Sequence, residues 1–95
     1  MKYAAVIEYS PDNAKIAEIR PAHRQYLAEL RDAGRLVLAG PFTDDSGSII
    51  VYEAPSAEEA ERLLQADPFY DQRIFMRYQL RPWNPVLVNG ELLPR

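Results

Sequence analysis

The strongest constraint on this chain is the order in which its hydrophobic period changes. Residues 2–9, KYAAVIEY, alternate with a period of two, which sets Tyr3, Ala5, Ile7 and Tyr9 on one face and Lys2, Ala4, Val6 and Glu8 on the other. The second face is half apolar and calls for a cover. After the turn-rich Ser10-Pro11-Asp12-Asn13 the period becomes helical: Ile16, Ile19, His23, Leu27 and Leu30 recur at intervals of three and four. Pro21 has no N–H and suits a first helical turn, so the main helix is expected to start near Ile19–Arg20, after an irregular turn over residues 12–18. Gly34 then stops it. Residues 35–39, RLVLA, read as a second strand ended by Gly40-Pro41. Thr43-Asp44-Asp45-Ser46-Gly47 reads as a hairpin loop, and residues 48–54, SIIVYEA, as a third strand. Ser56 and Glu59 have the spacing of a capping box and open a second helix. Its apolar stripe is Ala57, Ala60, Leu63 and Leu64, and Asp67-Pro68 ends it. Residues 73–81 alternate as a last strand, with Ile74, Met76, Tyr78 and Leu80 against Phe75, Arg77, Gln79 and Arg81; Pro82 and Pro85 close it, and Trp83 is read as packing. The mildly apolar tail 86–95 is left to dock on a neighbour or to fray.

The order is therefore β-α-β-β-α-β. Right-handed crossovers turn it into a split βαβ: an α+β, ferredoxin-like fold with a four-stranded antiparallel sheet and two helices on one face. Ninety-five residues suit one domain over 1–95, with a core over about 2–83 and a C-terminal tail over 84–95. The sheet's other face carries apolar groups that nothing in the chain covers. The expectation is a homodimer in which two sheets pack face to face around a barrel-like core, a dimeric α+β barrel. A chain of this length buries only about 60–65% of its extended surface alone, so self-association adds to a thin core.

Charge and composition exclude several functions. Eleven Lys and Arg stand against fourteen Asp and Glu, for a net charge of −3, with no basic stripe. That argues against nucleic-acid or anionic-membrane partners. RNA-recognition domains share this topology but need aromatic side chains on the open sheet face, which SIIVYEA does not supply. There is no cysteine and one histidine, which removes thiolate nucleophiles, disulfides, iron–sulfur clusters and multi-His metal sites. No Gly-rich phosphate loop appears, so no cofactor and no metal are expected. Asp44-Asp45-Ser46 lacks the spaced ligands and terminal Glu of a calcium loop and reads as a solvated turn. No stretch resembles a signal peptide or approaches ~20 apolar residues, so a soluble, cytoplasmic protein is expected.

In this topology the start of the first helix, the end of the second, the end of the second strand and the starts of the third and fourth share one end of the sheet. That end gathers Arg20, His23, Gly40, Pro41, Phe42, Ser48, Asp67, Pro68, Phe69 and Tyr70. His23 interrupts the apolar stripe of the first helix. Asp67, seven residues after Ala60 and three after Leu64, continues the stripe of the second. A carboxylate at a helix C-terminus is opposed by the helix dipole, and an imidazole partner offsets that and satisfies both buried groups. A histidine held by a carboxylate suits general acid–base chemistry, while the same pair also serves as a structural clasp. Ser48 reads as a hydrogen-bonding group rather than a nucleophile, since no nucleophile elbow surrounds it. Arg20 is either a clamp for an anionic substrate group or an ion-paired surface residue. Gly40-Pro41 turns the chain and leaves room for a ligand. Phe42, Phe69 and Tyr70 are either the walls of a pocket for a flat ring or ordinary core and dimer contacts.

The chain resembles the YCII-related (YciI-like) family. The matching residues are Arg20-Pro21-Ala22-His23, Tyr26-Leu27, Leu30, Gly34, Ala39-Gly40-Pro41-Phe42, Gly47-Ser48, Ser56-Ala57-Glu58-Glu59-Ala60, Asp67-Pro68-Phe69 and Pro82-Trp83, over about residues 2–83. The resemblance implies a ferredoxin-like fold that dimerises as an α+β barrel, and a His–Asp site carried onto His23 and Asp67 with Ser48 nearby. It implies chemistry like that of a member type that removes HCl from a chlorinated hydroxyquinone, in an architecture similar to muconolactone isomerases. Tyr70-Asp71-Gln72-Arg73 departs from the small Ala-Gly pair of many members and leaves the pocket rim, hence the substrate, open. The function expected is a cofactor-independent acid–base enzyme, an elimination or isomerisation catalyst for a small, cyclic or aromatic metabolite. The alternative is a non-catalytic small-ligand-binding or accessory dimeric module.

Overall fold

Four strands and two main helices form in the anticipated order in this computed structural model, which describes residues 1–94. They are β1 (Lys2–Tyr9), α1 (Asn13–Asp32), β2 (Leu36–Pro41), β3 (Gly47–Glu53), α2 (Ala57–Gln65) and β4 (Phe75–Trp83), with a one-turn helix α3 (Pro68–Asp71) between α2 and β4. The sheet is antiparallel with strand order β2-β3-β1-β4, so β1 and β3 are central and β2 and β4 are edges. The inward residues of β1 (Tyr3, Ala5, Ile7 and Tyr9) are buried opposite those of β3 (Tyr52, Ile50 and Ser48). Ile16 and Leu30 of α1 and Leu64 of α2 pack into the same core. Between the central strands the backbones approach closely at Gly47, where a Cβ would stand 1.9 Å from the carbonyl oxygen of Ile7; no side chain fits there.

Several boundaries differ from those the sequence predicts. α1 begins at Asn13, capped by the Asp12 side chain on the Lys15 N–H, and Pro21 lies inside it. An interior proline forfeits one helical hydrogen bond. Burial of Ile16, one heptad before His23, anchors the first turns on the core and offsets that loss. β2 runs through Gly40 and Pro41, which pair with Ile49 and Ser48, and β4 runs through Pro82 to Trp83. Both strands are edges, where a missing N–H leaves no partner unsatisfied. Trp83 is nearly half exposed rather than packed away.

A second difference lies at the start of β4. Glu8 pairs with Arg77 and Tyr9 with Phe75, so Met76 is an extra residue at a bulge. Phe75 therefore enters the core and Met76 faces out, the reverse of strict alternation. On α2 the Ser56 side chain accepts from the Glu59 N–H, but Glu59 pairs with Arg62, so one arm of the capping box forms. Ala57 is exposed; Ala60 and Leu64 are buried.

Candidate active site

Asp67 stands beyond the end of α2, and the next residues along the chain set its position. Pro68 cannot continue a helix from the preceding residue but starts one well, and Asp67 becomes the N-cap of α3: its Oδ1 accepts from the Phe69 N–H at 2.9 Å. The dipole that meets this carboxylate is thus the favourable N-terminal one of a short helix, not the opposing C-terminal one of α2. Asp67 therefore does not need a partner to offset an adverse dipole, as its place after α2 suggests, yet it has one.

That partner is His23. Its Nδ1 lies 2.7 Å from Asp67 Oδ1 and 2.9 Å from Oδ2. Asp67 is fully buried and His23 retains 6% exposure. The imidazole stacks on Phe69 with centroids 3.9 Å apart and an interplanar angle of 5°, and Phe75 meets it edge-on at 6.2 Å. Two aromatic rings and a carboxylate therefore fix the ring's position and its tautomer. An ionised carboxylate only accepts, so Nδ1 donates and Nε2 of a neutral ring carries the lone pair. Nε2 takes no hydrogen bond from the described residues.

Ser48 and Tyr9 border this cluster. The Ser48 hydroxyl, on β3 across from Ile7 of β1, is buried and makes no hydrogen bond among the described residues. A buried hydroxyl without a partner costs on the order of 1–3 kcal/mol; the Tyr52 hydroxyl is buried without a partner among the described residues in the same way. Burial raises the pKa of the Tyr9 hydroxyl; the Ser48 hydroxyl beside it pulls the other way, although the two do not reach hydrogen-bond geometry, and Asp67 adds to the rise. The Tyr9 ring packs edge-on against Phe69 at 5.4 Å and parallel to Phe75 at 6.1 Å. Sequence reasoning omitted Tyr9 because it left the end of the first strand out of the shared sheet end; Tyr9's inward phase at that strand's last residue was the available signal. It missed Phe75 because of the bulge.

Of the other expected site residues, Phe69 joins this cluster and the rest separate from it. Arg20 is ion-paired with Asp45 at 2.7 Å, which ties α1 to the β2–β3 loop, so Asp45 is not merely a solvated turn residue. Asp45 holds a left-handed backbone, φ 62°, to reach it. Pro68 is half-buried at the first position of α3, and Phe69 is the stacking floor of the imidazole. Tyr70 is exposed and meets Tyr78 edge-on rather than His23. Pro41 pairs with Ser48, while Gly40 pairs with Ile49 on the uncovered face. Phe42 also turns to that face. There it lines a hollow of about 750 Å³ with Val6, Met76, Arg77 and Gln79 among its walls, and His23 is not among them. Among the described residues no cluster of His, Cys, Asp and Glu suits a metal ion, and no helix is long and apolar enough to cross a membrane.

Comparison with known proteins gives a consistent result. A family model described as the YCII-related domain matches residues 1–84. Protein YciI of Escherichia coli O6:H1 is 32% identical over 92 residues, spanning 82% of this chain and 94% of the relative, and Protein YciI of Shigella flexneri gives the same figures. The uncharacterized protein YjpA of Bacillus subtilis is 44% identical over 46 residues, 48% of this chain and 54% of the relative. Among solved structures, 5-chloro-2-hydroxyhydroquinone dehydrochlorinase of Burkholderia phenoliruptrix, in complex with 2,5-dihydroxybenzoquinone, superposes with a TM-score of 0.77. It is 24% identical, with 88% of this chain and 94% of that one covered, and shares the fold.

Proposed function

Because the chain belongs to the YCII-related family, we propose that it is an acid–base enzyme catalysing elimination or isomerisation on a small cyclic or aromatic metabolite. The observation that carries this reading is the buried His23–Asp67 pair, with Nδ1 held by the carboxylate and Nε2 left without a hydrogen bond among the described residues. In this mechanism Nε2 takes a proton from the substrate, and Asp67 stabilises the imidazolium that forms. The freed electron pair then either expels a leaving group as an anion or moves so that the proton returns at another atom. The unpartnered Ser48 hydroxyl donates to a substrate oxygen. Arg20 receives an anionic group once Asp45 gives it up. Phe69 and Phe75 keep water from the ring. The fold neighbour's dehydrochlorinase chemistry on an aromatic compound supports elimination as the first reaction to test.

The same reading includes a homodimer formed through the uncovered sheet faces. Val6 at 54% and Met76 at 51% exposure are its main support, since a monomer leaves them in water. Such packing would set the open hollow of each chain against a second sheet.

The test is turnover of chlorinated hydroxyhydroquinones by the wild type and by His23→Ala. The expected result is chloride release by the wild type and a loss of about 10²–10⁴-fold in kcat in the variant, with its circular dichroism unchanged. Ligand binding that survives His23→Ala, with no turnover by either protein, would replace catalysis with a binding module.

A further inference from the structure

Among the described residues, two pairs of ionisable side chains join α1 to another element, and they stand one helical turn apart. His23 meets Asp67; Arg20, three residues earlier, meets Asp45 of the β2–β3 loop at 2.7 Å. The first pair is buried. The second is open to water, with Arg20 at 27% and Asp45 at 41% exposure. Both bear on one group: the Tyr9 hydroxyl, raised mainly by its burial, is acted on by Asp67, Arg20 and Asp45.

The loop does not need Arg20 to hold its shape. The Phe42 N–H donates to the Gly47 carbonyl at 2.8 Å and the Asp45 N–H to the Phe42 carbonyl at 2.9 Å, which closes the hairpin. The Ser46 N–H donates to Asp44 Oδ1 at 3.0 Å. The Tyr9 N–H donates to the Ser46 carbonyl at 2.8 Å and fastens the loop to β1. Asp45 sits in the left-handed region, which aspartate enters more readily than most residues, and from there its carboxylate reaches Arg20. The tie to α1 is thus added to a loop that is already closed. A pair this exposed is weak, and salt or a competing anion loosens it.

We propose that Asp45 is a specificity-determining residue: it occupies the seat of an anionic ligand group on Arg20, so that the site beside His23 takes ligands bearing an anionic oxygen and refuses neutral ones of the same shape. The guanidinium is a planar fork of donors that a carboxylate or an ionised enol matches with two oxygens. Asp45 meets it through one oxygen on one nitrogen, so a group that engages the whole fork displaces it. A neutral ligand leaves the aspartate in place. The seat is free only in the fraction of molecules whose pair is open, and that fraction scales the apparent affinity for the anion. This inference rests on the reading of Arg20 as the seat of the substrate's anionic group, and not on turnover.

Benzoate and benzamide share a shape and differ in charge, which suits them as probes. Each is titrated into ¹⁵N-labelled protein at pH 7 and low salt, and the ring signals of the single histidine report binding beside it. In the wild type benzoate is expected to bind roughly tenfold more tightly than benzamide. In Asp45→Asn, whose new side chain also tolerates the left-handed backbone, the benzoate dissociation constant is expected to fall about threefold or more. Arg20→Gln is expected to abolish the benzoate shift. Arg77→Gln, which breaks the pair with Glu8, is expected to leave it unchanged. Circular dichroism of each variant confirms the fold before titration. The proposal is overturned by equal affinity for the two probes, by no benzoate shift in any of the proteins, or by a benzoate affinity that Asp45→Asn leaves unchanged or weakens. A shift that survives Arg20→Gln, or that disappears in Arg77→Gln, overturns it too, since the anion then binds elsewhere. No turnover enters these readouts. If benzoate behaves as expected while chlorinated hydroxyhydroquinones release no chloride, the catalytic reading falls and the role of Asp45 stands.

Discussion

The two faces of the sheet are built from the same strands and solved in opposite ways. On the helix side, charged groups are placed in the core and held, while two hydroxyls are not: Asp67 is fully buried yet meets His23 and the Phe69 N–H, and the Tyr26 hydroxyl donates to the Leu63 carbonyl at 2.6 Å, but the buried Ser48 and Tyr52 hydroxyls have no partner among the described residues. On the other side no buried polar atom lacks a partner among the described residues, but Val6, Ile49 and Met76 stand in water. One face is covered by helices of the same chain and holds the His23–Asp67 pair. The other has no second layer among the described residues and is the face on which the proposed dimer is built. The difference teaches that apolar alternation alone does not distinguish a core from an interface. What distinguishes them is whether a second layer from the same chain arrives.

Breaking the helix side should cost the most. Asp67→Ala leaves His23 and the Phe69 N–H buried without their acceptor and is expected to lower stability by about 3–5 kcal/mol, read from urea unfolding. A loss below about 1 kcal/mol would mean that the pair contributes little to the core. A second, smaller effect is set by pH. Burial, with Asp67 next, pushes the Tyr26 hydroxyl up to about 12. A raised folded-state pKa favours the neutral phenol in the native state. The stabilisation is thus complete below pH ~10, where unfolded tyrosine starts to ionise, and is lost as pH rises towards 12. The melting temperature is expected to fall across that window and to fall less steeply in Tyr26→Phe; equal slopes would contradict the assignment. The smallest effect belongs to the other face. Val6→Asp replaces an exposed side chain and should change monomer stability by no more than about 0.5 kcal/mol. Its consequence should appear instead in sedimentation, as loss of the proposed dimer.

Much of this contrast was legible in the sequence, and the reasons are local. The heptad spacing of Ile16, His23 and Leu30 placed an imidazole on a buried stripe, and the spacing from Ala60 to Asp67 aimed a carboxylate at the same end. What periodicity could not give was the turn of helix after Asp67, which reverses the dipole the carboxylate meets. It also missed the bulge at Met76, because a one-residue insertion leaves an alternating pattern intact while shifting its phase. Pro21 misled by its intrinsic cost, which core burial of Ile16 overrides. Phe42, Gly40 and Tyr70 were placed at the right end of the sheet but not around His23, since sharing an end does not fix which face a side chain takes.

The chemistry assigned to the helix side depends most on how the imidazole is held. The chain has a single histidine, so the ¹⁵N shifts of its ring are unambiguous. Measured at pH 9, where an ordinary imidazole is neutral, they should show the proton on Nδ1, facing Asp67, and a bare Nε2. A ring with Nε2 protonated would contradict the pairing, and with it the base assigned to His23.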